Sequence, residues 1–112
     1  MMYTINIQKE LLPYSFEIEL NDNIYTLVVK YNERFDFFTI DLYLDDEIII
    51  YGEKVDISKP LFLSQSYKEI PTIIPFDESL TADRITFENL SESVELYFIP
   101  DNEKGDYYEV LE

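Results

Sequence analysis

Most of the chain alternates apolar and polar residues with period two, the spacing of a strand that buries one face. The clearest case is "PYSFEIELN", where Tyr14, Phe16, Ile18 and Leu20 alternate with Ser15, Glu17 and Glu19. "YTINIQ" alternates in the same way through Tyr3, Ile5 and Ile7. Asn21–Asp22 marks a turn, and the next strand runs over Ile24 to Tyr31. In "YNERFDFFTIDLYLDDEIIIYGE", Phe38, Ile40, Leu42 and Leu44 form one apolar face, while Phe35, Phe37 and Tyr43 crowd the opposite face with aromatic surface. A two-residue loop at Asn32–Glu33 sets Leu27 opposite Phe38, Tyr25 opposite Ile40 and Thr26 opposite Thr39. A slip by one residue would mix the faces, so burial selects that register over a three-residue loop. Asp45–Asp46 marks the following turn, and "EIIIYGE" forms a short strand ending near Gly52.

From Val55 to Asp83 the pattern weakens, interrupted by Pro60, Pro71 and Pro75, with short apolar pieces "LFL" and "TIIPF" between them. This reads as a long connection with one or two edge strands, because proline removes a ladder donor. "DRITFENL" predicts a strand with Ile85 and Phe87 inward, and "SESVELYFIP" a last strand with Val94, Leu96 and Phe98 inward and Glu95 outward. No segment predicts a convincing helix; "QSYKEI" has the length of a single turn. Many short strands with little helix predict an all-β fold, a compact antiparallel β-sandwich or small barrel. At 112 residues the chain suits one domain, residues 1–100, followed by an acidic C-terminal tail, residues 101–112, that carries Tyr107, Tyr108, Val110 and Leu111.

Composition narrows the function. Acidic residues number 24 against 8 basic ones, a formal charge of −16. Such a charge disfavours nucleic acid and anionic membrane, and suits basic protein surfaces. There is no cysteine and no histidine, which removes disulfides, thiolate nucleophiles and the histidine-based triads. The N-terminus has no signal-peptide pattern, and no apolar run approaches a membrane helix.

Carboxylates cluster at Asp41, Asp45, Asp46 and Glu47 and again at Asp101, Glu103 and Asp106. Two carboxylates can hydrolyse a glycoside, but chance proximity among 24 favours a solvated face. "DLYLDDE" lacks the glycine and ligand spacing of an EF-hand loop. No serine lies in a nucleophile elbow, and two glycines cannot build a phosphate loop. No catalytic, metal or cofactor-binding residue emerges. The candidates are instead Phe35, Phe37 and Tyr43, with Arg34 beside them and Tyr107 and Tyr108 in the tail, as a protein interface. The bland alternative for the aromatic face is cover by a second sheet or by the Val55–Asp83 connection. For Arg34 and Arg84 it is local pairing at the surface. The tail aromatics either dock on their own domain or reach a neighbour.

The runs "YNERFDFFTIDLYLDDEIIIYGEKVDISKPLF" and "RITFENLSESVELYFIP" resemble the small bacteriophage baseplate plug family of the cyanophage type. The likeness rests on order and spacing. It comprises an opening strand resembling "YTINI", the aromatic–Asn–x–Arg turn at Tyr31, Asn32 and Arg34, Phe38 followed by Asp41, Gly52, and the Leu96–Tyr97 pair. It spans nearly the whole chain up to Pro100; the tail lies outside it. Phe38 stands where the family often has Trp, and Leu90–Ser91 replaces a Leu–Gly turn.

The resemblance implies a non-enzymatic structural part of a phage, prophage or tailocin baseplate. Such a part would plug the lumen or bridge hub proteins and the tape-measure C-terminal region at the tube tip, in a contractile tail assembled in the host bacterial cytoplasm. It implies no cofactor. The competing class is a small acidic module binding carbohydrate or calcium, unrelated to tails.

Overall fold

The computed structural model describes residues 3–62 and 70–101. Seven strands follow in order: β1 (Tyr3–Ile5), β2 (Tyr14–Leu20), β3 (Asn23–Asn32), β4 (Phe37–Leu44), β5 (Glu47–Lys54), β6 (Thr72–Phe76) and β7 (Glu95–Ile99). A 3-10 turn at Lys9–Leu11 precedes β2. The strands make two antiparallel sheets, one ordered β2-β3-β4-β5 and the other β1-β7-β6. The first is a meander of sequence neighbours. The second joins the two ends of the described chain, with Tyr3 opposite Phe98.

The meander follows from its turns. Asn21–Asp22 and Asp45–Asp46 each carry two residues at positive φ (53° and 65°, then 51° and 65°). That is the type I′ geometry whose twist matches a β-hairpin, and Asn and Asp tolerate it. Leu20 therefore faces Asn23, and Leu44 faces Glu47.

Alternation then sorts the side chains. Tyr25, Leu27 and Val29 from β3 and Phe38, Ile40 and Leu42 from β4 are fully buried. They meet Ile5, Ile73, Leu96 and Phe98 from the smaller sheet in one core. Each such burial stabilises by about 1.5–3 kcal/mol before entropy is counted. This is the two-layer sandwich expected for the period-two pattern.

The β3–β4 register differs from the sequence expectation. Leu27 faces Leu42 and Tyr31 faces Phe38, a shift of four residues from the predicted Leu27–Phe38 pair. The loop is not Asn32–Glu33 but the four residues 33–36. The Asn32 side-chain oxygen accepts the Phe35 N–H at 3.0 Å, and Asp36 takes a positive φ of 55°. Asn32 thus closes a longer turn from its first flank instead of sitting at its apex. The displacement is even, so every side chain keeps its face.

The strand predicted over "DRITFENL" is also absent. Thr86 and Asn89 exchange side-chain-to-backbone hydrogen bonds (Thr86 N–H to Asn89 Oδ1, 2.7 Å; Asn89 N–H to Thr86 Oγ1, 3.2 Å). The Leu90 N–H returns to the Thr86 carbonyl at 3.1 Å. These local bonds coil the segment and compete with any ladder. Ile85 is buried as expected, but Phe87 is 41% exposed.

"TIIPF" forms β6 at an edge of the smaller sheet, which accommodates Pro75. The other edge of β6 receives N–H groups from Ser58 and Leu61. Of "LFL", Leu61 and Phe62 are buried outside any strand, while Leu63 lies outside the described residues, as does most of "QSYKEI" and all of the tail beyond Asp101.

Candidate interface surface

The outer face of the four-stranded sheet is built from the residues that alternate with the core. Across it run two registered rows, Glu17–Thr26–Tyr43–Ile48 and Ser15–Val28–Asp41. Toward the 33–36 turn, Lys30, Thr39 and Lys54 form a third row, and Asn32 faces Phe37. The second sheet packs only on the inner face, so these side chains are not covered by it.

Asp41 sits at the centre of this face, 2% exposed. A buried carboxylate needs partners, and it has two. The Gly52 N–H donates to Oδ1 at 2.7 Å, and the Lys30 ammonium lies 3.1 Å from Oδ2. Gly52 adopts a positive φ of 73° within the register shift between the Ile40–Glu53 and Leu42–Ile50 pairs of β4 and β5. That bulge turns its N–H toward Asp41, a conformation glycine adopts without steric cost. Asp41 and Gly52, eleven residues apart, therefore act as one structural unit. Lys30 also donates to the Tyr51 hydroxyl at 3.1 Å and lies 4.4 Å from its ring centre. These hydrogen bonds, Tyr51 first, raise the Lys30 ammonium above its ordinary value.

The 33–36 turn is braced from the other side. Asp36 Oδ1 accepts the Tyr31 hydroxyl at 2.7 Å and the Phe87 N–H at 2.8 Å. Arg84 donates to the Asp36 carbonyl at 2.7 Å and the Phe35 carbonyl at 3.4 Å, and its guanidinium lies 3.7 Å from Asp36 Oδ2. The Tyr31 hydrogen bond holds the Asp36 carboxyl below its ordinary range, and reciprocally pushes the Tyr31 phenol up to about 12. The rings of Tyr31, Phe38 and Phe87 cluster over the same corner, with centres 4.9–6.4 Å apart.

The candidate residues divide between two ends of the sheet. Phe35 is not on the strand but in the turn, 63% exposed, with the Arg34 guanidinium 5.3 Å from its ring centre. Arg34 makes no ion pair among the described residues; Arg84 holds the backbone carbonyls instead. Phe37 opens β4, half-buried, with the Lys54 ammonium 5.2 Å from its ring centre.

Tyr43 lies six residues along β4, about 20 Å away, half-buried beside its outward neighbour Ile48. The three aromatics thus do not make one patch. The Asp41–Lys30–Tyr51 group separates Phe35 and Phe37 from Tyr43. Tyr107 and Tyr108 lie outside the described residues.

Sequence reasoning missed Ile24 and Ile48, 57% and 47% exposed on the Tyr43 end. Ile24 carried a signal, as the outward position before Tyr25 and Leu27 in β3, whereas Ile48 lies in an unbroken Ile48–Ile50 run whose faces the sequence does not sort. Lys54 and Arg84 could not be found that way, since only folding brings them beside Phe37 and Phe35. Among the described residues no three carboxylates converge as a cation cage. Buried Asp77 is consumed by its own loop, accepting the N–H groups of Ser79, Thr81 and Ala82 and the hydroxyls of Ser79 and Thr81.

Comparison with known families finds that the model described as cyanophage baseplate Pam3 plug gp18 matches residues 2–102. No curated protein matches the chain.

Proposed function

The chain belongs to the cyanophage baseplate plug family, and from that premise we propose that it works by being held at the tail-tube tip, plugging the lumen or bridging hub proteins. Family membership makes it a structural baseplate protein of the virion tail that contacts other baseplate proteins. The finer assignment covers the hub, the tape-measure C-terminal region, and a particle assembled in the host bacterial cytoplasm as a phage, prophage or tailocin. It is supported by one observation: the four-stranded sheet leaves its outer face to solvent, with Tyr51, Ile48 and Ile24 on its strands and Phe35 in the adjoining 33–36 turn each exposed by 47–69%. Exposed apolar groups spread along one face mark a surface that a neighbour covers.

In this reading residues 1–100 form the placing domain. Phe35, Phe37 and Tyr43 anchor it, Arg34 supplies a directed donor, and the acidic remainder meets basic protein surfaces. No reaction and no cofactor is involved.

Phe37→Asp tests the reading. The ring is half-buried on the outer face, so the variant is expected to keep the circular-dichroism spectrum and unfolding cooperativity of the parent while particles incorporate less of it. A Phe37→Asp chain that unfolds would assign the ring to the core instead; one that folds and assembles normally would remove Phe37 from the interface.

A further inference from the structure

A groove of about 660 Å³ opens at the braced end of the sheet, with Phe35, Phe37, Lys54, Lys59 and Arg84 among its lining residues. Its charge is unlike the rest of the molecule. Its lining holds three cations and two carboxylates, Asp56 and Asp83, in a chain whose formal charge is −16; Lys54 pairs with Asp56 at 3.6 Å and Arg84 with Asp36 at 3.7 Å, and Lys59 has no ion pair among the described residues. Arg34, stacked on Phe35, adds a fourth cation at the rim. By contrast, the groove at the opposite end holds Glu19, Asp22 and Asp101 and no cation. A third, beside Tyr31 and Phe87, holds Lys9 against Glu33, Asp36 and Glu88. Aromatic rings flanked by cations fit a segment that presents both rings and carboxylates.

The chain contains such a segment. "DNEKGDYYEVLE", residues 101–112, has five carboxylates around Tyr107–Tyr108 and one lysine. We propose that this segment of one copy docks in the Phe35–Phe37–Lys59 groove of a second copy. The proposal rests on the baseplate reading and names a partner for its aromatic end.

Reach decides between the same copy and another. The Asp101 N–H donates to Asn21 at 3.0 Å, so the segment departs from the 21–22 turn. The groove lies at the other end of the ten-residue strand β3, about 33 Å away. Tyr107 is six residues beyond Asp101, at most about 22 Å of extended chain. The Tyr107 and Tyr108 backbone, the latter at most about 25 Å along the chain, therefore falls short of its own groove, a limit that does not apply to a second copy's. Groove-to-tail contacts are heterologous and propagate into rings or filaments. Repulsion between two strongly acidic copies opposes the contact, so it forms at moderate salt, where the Debye length is about 8 Å and short-range attraction survives.

Sedimentation velocity on the full chain, over a concentration series at 0.02, 0.15 and 0.5 M salt (roughly 20 to 4 Å of screening), tests this. Self-association is expected at the middle salt. Lys59→Glu in the groove and the double variant Tyr107→Ser, Tyr108→Ser in the tail should each weaken it about tenfold or more, with thermal melts unchanged. Mixing the two defective proteins pairs one intact tail with one intact groove, so a 1:1 dimer is expected that neither forms alone.

A monomer under all conditions would overturn the proposal, as would a Lys59→Glu chain that associates like the parent, or a mixture that does not pair. A Lys59→Glu chain that fails to enter particles while self-associating normally would give the groove to a different baseplate protein. The baseplate reading would then stand and this inference would fall.

Discussion

The two ends of the β3–β4 hairpin are built differently. At one end, the 21–22 and 45–46 turns are minimal type I′ reversals built from Asn and Asp, and the Asn21 side-chain oxygen also accepts the Asp101 N–H at 3.0 Å. At the other, the 33–36 turn is twice as long. It is tied down by Asn32 from within, and by Arg84 and the Phe87 N–H from the 83–94 segment. The reversals at the first end are set by the backbone preferences of their own two residues. The second exists only because a segment about fifty residues later packs against it.

The difference gives the molecule a polarity. One end is acidic and simple. The other is braced, and it gathers Arg34, Lys54, Lys59 and Arg84, half of the chain's eight basic residues, beside exposed rings. A −16 protein that concentrates its cations at one end can meet two kinds of neighbour with two surfaces.

The largest test of this contrast removes core side chains beneath each end. Phe38, fully buried under the braced corner, contacts Tyr31 and Phe87; Phe38→Ala is expected to cost about 3–5 kcal/mol in urea unfolding. Leu44, half-buried beside the 45–46 turn, should cost about 1 kcal/mol as Leu44→Ala. Equal losses would erase the asymmetry.

Next in size is Asp36→Asn, which weakens the acceptor shared by Tyr31 and Phe87. The urea midpoint should fall, and the pH dependence should change at both limbs. A depressed carboxylate stabilises the fold above its unfolded value, near 4. Asp36 is held low, and Asp77 is held at about 2, first by the Ser79 hydroxyl and then by the Ala82 N–H. Stability is therefore expected to fall as pH drops from about 4 toward 2. The raised Tyr31 phenol acts oppositely: its contribution is complete below about 10 and lost as pH rises toward 12. Thermal melts across pH should show that Asp36→Asn shrinks the alkaline loss and leaves the Asp77 part of the acid loss intact. An unaltered alkaline limb would detach Tyr31 from Asp36.

The smallest effect belongs to the simple end. Asp45→Asn preserves a residue that tolerates positive φ and touches no ion pair among the described residues. Its unfolding free energy should stay within about 0.5 kcal/mol of the parent. A larger change would mean that the acidic turn is braced by contacts of its own.

Local rules were legible wherever the chain's own neighbours decided the outcome. Period-two alternation identified β1, β2, β3, β4 and β7, "EIIIYGE" marked β5 as a short strand after its turn, and Asn21–Asp22 and Asp45–Asp46 identified their turns, because hairpin geometry depends on residues two to four apart. The core faces of β3 and β4 followed, and they survived a four-residue error in register because only an odd slip exchanges faces. The likeness to the plug family lay in the same stretch: Asn32 caps the 33–36 turn, and Asp41 with Gly52 is one hydrogen-bonded pair.

What the sequence by itself determined, then, was the two-faced strand and its reversal points, since both are set by side-chain alternation and backbone preference over a few residues. Only the tertiary structure decided that β1 pairs with β7 across the whole described chain and that "DRITFENL" coils instead of extending. It also separated Phe35 and Phe37 from Tyr43 and gathered distant cations around the first two. Those outcomes depend on which non-local partners satisfy each backbone group and each carboxylate, and no window of neighbouring residues contains them.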